Sequence, residues 1–220
     1  MRIKGLFFDM DGTIVHTCDM WDDVLAGIVG ADNIVKFRSA RSVYPGKSIS
    51  QYRVILSKEF GRNHSESEVL QLFGDSCDRV FTNADIKFVD GFEEFIEHIN
   101  RWRHKRHLVK ALVTNAPSYA LDVLKPKLNL KHYFYSNIIN SDMAGAFKPD
   151  PAIIKYALTK LGLEPQYTLM FEDSDEGVAA CNASKVRCVG IRGAISDESK
   201  CDMMIDNYVG LTMDKLSEIE

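Results

Sequence analysis

No stretch of the sequence has the roughly 20 consecutive apolar residues that a membrane-spanning helix needs. The opening residues, MRIKGLFFDMD, hold too short an apolar run for a secretory signal and pass at once into acids. Basic character is also missing. With 27 Lys and Arg against 31 Asp and Glu, the net charge of -4 leaves no electrostatic footprint for a nucleic-acid binder. The one basic run, RWRHKRHLVK at 101–110, is mixed with histidines and opens an apolar stretch, so it reads as the solvated end of a helix and the loop after it. The cysteines (Cys18, Cys77, Cys181, Cys188, Cys201) are odd in number and form no CxxC pair. That speaks against both a disulfide framework and a zinc site, and for reduced thiols in the cytoplasm. Internal repeats and low-complexity segments are absent. The remaining composition, 45% hydrophobic and 26% charged, is that of an ordinary globular chain. Its 220 residues suffice for one core domain with a small satellite, and neither nucleic acid nor membrane is an expected partner.

What is present begins with short apolar runs that lack a helical period. Ile3 to Phe8, HLVKALVT at 107–114, YTLMFED at 167–173 and VRCVGI at 186–191 read as strands buried on both faces, with YFYSNIIN at 133–140 a fifth. Helical patterns at 92–102, 118–128, 151–162 and 177–184 lie between them, and the alternation predicts a doubly wound α/β parallel sheet. From about Val15 to Val89 the pattern is only helical. One face gathers Trp21, Val24, Leu25 and Ile28, another Ile49, Tyr52, Ile55, Leu56 and Phe60, and SEVLQLFGDSCDRVF follows the same rule. This length exceeds that of a connecting loop and predicts an all-helical domain inserted after the first strand. The expected division is a core of 1–15 and 90–220 with a helical insert of 16–89.

Ligands of an open parallel sheet bind at the carboxyl ends of its strands. The first strand ends in Asp9-Met10-Asp11-Gly12-Thr13, the second in Thr114-Asn115, and the YTLMF strand in Glu172-Asp173-Ser174. Lys148-Pro149 precedes the helix at 151–162. Converging acids, hydroxyls and a lysine suit phosphoryl transfer. A carboxylate can attack phosphorus, and a second can protonate the leaving oxygen and later activate water. Several acids facing a phosphate repel one another unless a hard cation such as Mg²⁺ sits among them. A lysine with hydroxyl or amide donors then neutralises the phosphoryl oxygens.

DMDGT (Asp9–Thr13), VTNA (Val113–Ala116), the lysine of FKPDP (Lys148) and FEDSDEGVAA (Phe171–Ala180) resemble the four motifs of the haloacid dehalogenase superfamily of phosphohydrolases. They stand in the family's order and take in nearly the whole chain, and the helical insert resembles the cap of that family's subfamily I. The resemblance implies a Rossmann-like core and Mg²⁺-dependent hydrolysis of a small phosphomonoester, a sugar phosphate or a phosphoglycolate-like compound, through an aspartyl-phosphate. Asp9 would be the nucleophile, Asp11 the general acid and base, and Lys148 the cationic clamp that also orients Asp9. Met10, Asp11, Thr114, Asn115 and Lys148 would bind the phosphoryl group. The metal would be held by Asp9, Asp11 through its backbone carbonyl, Glu172 and Asp173. Family dehalogenases and phosphonate hydrolases lack an aspartate at the position of Asp11, so its presence favours phosphate esters.

YPGKSIS (Tyr44–Ser50) resembles the loop with which such caps select substrate, making Lys47 a candidate substrate contact. His16 departs from the pattern, since relatives resembling beta-phosphoglucomutase carry an acid there. Met20-Trp21-Asp22 stands where the family's mutases place a histidine. The alternatives are a phosphosugar mutase on the same core and a non-catalytic relative that binds a phosphometabolite.

Overall fold

A computed structural model describes residues 3–30, 33, 49–103 and 108–219. The chain divides into two compact units. One comprises Met1–His16, Ile86–Pro117 and Asn129–Glu220; the other comprises Thr17–Asp85 and Ser118–Leu128.

The first unit is built on a parallel sheet of β1 (Gly5–Phe8), β2 (Val109–Thr114), β3 (Ile138–Asn140), β4 (Thr168–Ser174), β5 (Arg187–Ala194) and β6 (Met203–Ile205), in the order β3-β2-β1-β4-β5-β6. The helices, in chain order, are α1 (Met20–Val29), α2 (Ile49–Phe60), α3 (Glu66–Asn83), α4 (Phe92–Arg103), α5 (Ser118–Lys127), α6 (Leu130–Phe134), α7 (Ser141–Ala144), α8 (Ala152–Leu161), α9 (Asp175–Ser184) and α10 (Met213–Leu216). All four residues of β1 are buried, as a central strand covered on both faces requires.

Successive side chains of a strand point to opposite faces, and β1 fills both. Phe7 joins Ala111, Val113, Ile153, Ile154 and Met170 on one side. Phe8 stacks on Phe171 at 4.7 Å on the other, beside Phe92, Phe95, Phe134 and Tyr208. Burying each ring contributes about 1.5–3 kcal/mol. Phe8 is in register with Leu112 of β2 and Phe171 of β4, so Asp9, Val113 and Glu172 stand level one residue further on.

The apolar runs predicted as strands are strands, with ends displaced by one to three residues, except at 133–140. There Leu130–Phe134 is a helix and only Ile138–Asn140 pairs, with Leu112, Val113 and Thr114. Asn129 and Tyr135, both at positive φ, bound that short helix. β6 was not anticipated; it is a three-residue edge strand, half-buried, with no continuous apolar run to betray it.

In the second unit α3 is started by a capping box, Ser65 and Glu68 exchanging hydrogen bonds with each other's backbone N–H. Val69, Phe73, Cys77 and Phe81 form its buried face. Phe81 meets Trp21, and Phe73 lies between Tyr52 and Tyr119. The buried Ser76 hydroxyl donates to the Val24 carbonyl at 2.7 Å, tying α3 to α1. Residues 118–128, which the sequence reading assigns to the core, group with this unit. Lys47 and most of the Tyr44–Ser50 segment lie outside the described residues.

Candidate active site

Asp9 prolongs β1 by one step, its N–H donating to the Phe171 carbonyl at 3.0 Å. The chain then turns. Gly12 takes φ 77, a conformation that costs other residues, and its N–H donates to the Val15 carbonyl at 2.8 Å. The Met10 carbonyl accepts from Ile14 and Val15. This tight loop keeps Asp9, Asp11 and Thr13 together at the carboxyl edge of the sheet. Val15 continues into a bridge with Phe88, and the exposed His16 donates its N–H to the Lys87 carbonyl.

Lys148 organises what gathers there. Its buried Nζ donates to Asp9 Oδ1 at 2.5 Å, to Glu172 Oε1 at 2.6 Å and to the Val113 carbonyl at 3.0 Å. All three donors of the ammonium are thereby used. Asn115 holds the lysine's main chain: its Oδ1 accepts from the Lys148 N–H at 2.8 Å, and its Nδ2 donates to the Lys148 carbonyl at 3.1 Å. The Asn115 side chain is therefore a clamp on the Lys148 main chain. The buried Thr114 hydroxyl accepts from the Ala116 N–H at 3.0 Å and keeps its own proton to donate.

Glu172 is fully buried. A Cβ on Gly177 would fall 1.9 Å from Glu172 Oε2, so the first turn of α9 approaches the carboxylate as closely as only glycine permits. The N-cap Ser174 accepts from the Gly177 N–H and lies 3.5 Å from Glu172 Oε2. Thr13, also buried, donates to Asp173 Oδ1 at 3.2 Å. Asp175, at the start of α9, accepts from both the N–H and the hydroxyl of Ser196.

Asp9, Glu172 and Asp173 each present a carboxylate oxygen within 4.8 Å of the others. The Asp11 carboxylate is not among them, though its charge reaches Asp173. Burial, with the negative charge of Asp9, pushes Glu172 up to about 8 against the pull of Lys148. Asp173 is pushed up to about 7 by burial and by Asp9, against the Thr13 hydrogen bond. Burial works to lower Lys148, but Asp9 and Glu172 outweigh it and hold the ammonium above the usual lysine range. Three hard oxygen donors this close together, with Glu172 and Asp173 both raised by burial and by Asp9, fit a small divalent cation such as Mg²⁺. Thr13, Gly177 and the Val113 carbonyl are parts of the site to which the sequence reading gave no role.

The fold and the site together define a Rossmann-like α/β protein with an acid–lysine centre where its parallel strands end. Residues 3–185 match the haloacid dehalogenase-like hydrolase family, and the chain belongs to it. It is similar to the fructose-1-phosphate phosphatase YqaB of Escherichia coli, 26% identical over 87% of this chain and 97% of that one. It is also 34% identical to the phosphoglycolate phosphatase of Pseudomonas putida, over 50% of this chain and only 42% of that protein's length. Among solved structures, CbbY from Rhodobacter sphaeroides in complex with phosphate superposes with a TM-score of 0.81 at 19% identity, over 98% of this chain and 99% of that one. At that identity the likeness speaks to the fold.

Proposed function

We propose that this hydrolase is a Mg²⁺-dependent phosphatase that cleaves a small phosphomonoester through an aspartyl-phosphate on Asp9. The observation that carries the reading is the Asp9 carboxylate itself, at the end of the central strand, held by Lys148 beside Glu172 and Asp173. Lys148 bonds one Asp9 oxygen, which orients the other for in-line attack on phosphorus. As the P–O bond of the ester breaks, the leaving alkoxide takes a proton from Asp11. Asp11 then takes a proton from water as that water attacks the acyl-phosphate, which releases inorganic phosphate and regenerates Asp9. Thr114 and the backbone amides of Met10, Asp11 and Asn115 bind the phosphoryl oxygens, while Lys148 supplies positive charge beside them. Asp9, Glu172 and Asp173, with the Asp11 carbonyl, would hold the cation, which when bound offsets the charge shared by acids and phosphate.

The names of the relatives support a small organic phosphate as substrate, a sugar phosphate or phosphoglycolate. A panel of such esters, assayed for phosphate release with and without Mg²⁺, tests the reading. Metal-dependent release from at least one small ester is expected. Isomerised product without release of phosphate would overturn it in favour of a mutase.

A further inference from the structure

Tyr208 lies 28 residues beyond the last motif of the family pattern, which ends at Ala180, yet its side chain is tied to the site by packing. Its ring is 1% exposed and sits against Phe92, Phe95 and Phe171 at 5.5 Å each and Phe8 at 6.4 Å. Phe8 and Phe171 immediately precede Asp9 and Glu172 in β1 and β4, so the ring lies directly behind the strand ends that carry the acids. Its N–H donates to the Asp90 carbonyl at 2.9 Å, fixing the backbone from which it projects. Its hydroxyl is the one buried side-chain polar atom among the described residues that finds no hydrogen-bond partner. A hydroxyl placed so costs about 1–3 kcal/mol if left unsatisfied. The surrounding rings would bury a phenylalanine with no such cost, so folding alone gives no reason for the oxygen.

The charges that reach this hydroxyl are those of Asp9, Asp173 and Glu172, which together with burial raise its pKa well above the ordinary tyrosine value. The O–H is therefore a fixed neutral donor in the field of the three acids. We infer that Tyr208 is a positioning residue for the acid cluster: held by four aromatic rings behind the strand ends, its O–H orients the carboxylates that would take the cation. Groups that orient metal ligands from behind in this way contribute about 10-fold or more to metal affinity. The inference rests on the cation-site reading of Asp9, Glu172 and Asp173.

The test is calorimetric titration of Mg²⁺ into the metal-free protein and its Tyr208→Phe variant, with a thermal melt of each metal-free protein. The expected result is a loss of about 10-fold in Mg²⁺ affinity, with a melting temperature equal to or above that of the wild type because an unsatisfied hydroxyl has been removed. Unchanged affinity would overturn the inference. So would a loss of affinity accompanied by a lower melting temperature, since that marks a packing role. If the wild-type protein itself bound no Mg²⁺, the cation-site reading would fall and this inference with it.

Discussion

The space that a side chain on Gly177 would occupy is filled by the Glu172 carboxylate, whose Oε2 would lie 1.9 Å from the added carbon. Glu172 has no room to retreat, because it is fully buried and its other oxygen is held by Lys148 at 2.6 Å. Gly177→Ala must therefore move either the glutamate or the first turn of α9. The expected outcome is a loss of about 1–3 kcal/mol in urea unfolding from overpacking, together with a loss of about 10–100-fold in Mg²⁺ affinity.

Lys148→Met removes the one ammonium shared by Asp9 and Glu172 and leaves two buried carboxylates without their counter-charge. Breaking a buried pair on one side costs roughly 3–5 kcal/mol. Equilibrium unfolding of the metal-free variant should show a loss of that order, and turnover of p-nitrophenyl phosphate should vanish. A variant with stability and turnover unchanged would deny Lys148 both roles.

The acids impose a pH dependence whose sign follows from their directions. Asp173 rises from 3.8 to about 7 and Glu172 from 4.5 to about 8 on folding. A carboxyl group raised in this way stabilises the folded chain fully below its unfolded value, and that contribution is lost as pH climbs through the folded value. The metal-free protein should thus lose stability as pH rises from the unfolded values of 3.8 and 4.5 to about 7 for Asp173 and about 8 for Glu172, with no further loss above. Lys148, shifted upward, remains charged throughout that window and opposes the loss only by a constant amount. Mg²⁺ needs the ionised carboxylates, so its affinity should climb over the same window and its binding should release protons. Thermal melts with and without Mg²⁺ across that range check both trends.

Thr13→Val deletes the donor that favours the ionised form of Asp173 at nearly unchanged volume. The Asp173 pKa should rise further and the onset of Mg²⁺ binding should move to higher pH. A stability cost of about 1–3 kcal/mol is expected above the Asp173 pKa, where a buried carboxylate has lost its partner. Mg²⁺ titration on either side of about 7 separates this from a general loss of fold.

The sheet was legible wherever a strand is buried on both faces, as the run ending in Phe7-Phe8 is, because burial leaves an unbroken apolar run. β6 escaped because an edge strand of three half-buried residues has no such run. The segment 133–140 misled for a different reason: Tyr133 and Phe134 are buried aromatics that suit a strand, but here they close a short helix. At the site, Asp9, Glu172 and Asp173 stood out in the sequence as acids at the ends of apolar strands, and Lys148 only through its place ahead of the helix at 151–162; the structure brings the four together. Thr13, Gly177 and Tyr208 did not stand out. Their importance lies in what they touch across the fold, and neither a buried threonine nor a helical glycine nor a core tyrosine announces that in sequence. Asn115 was legible as a site residue, but its bonds to the Lys148 backbone depend on a contact 33 positions away.

The central claim is that the phosphoryl group passes through a covalent bond to Asp9. Acid quenching of the Mg²⁺-loaded enzyme during turnover of an isotope-labelled phosphomonoester, followed by peptide mapping, tests it most directly. The account predicts hydroxylamine-labile label on the peptide containing Asp9, and neither label nor turnover in Asp9→Asn. Sustained turnover by Asp9→Asn, or label on a different residue, would contradict it.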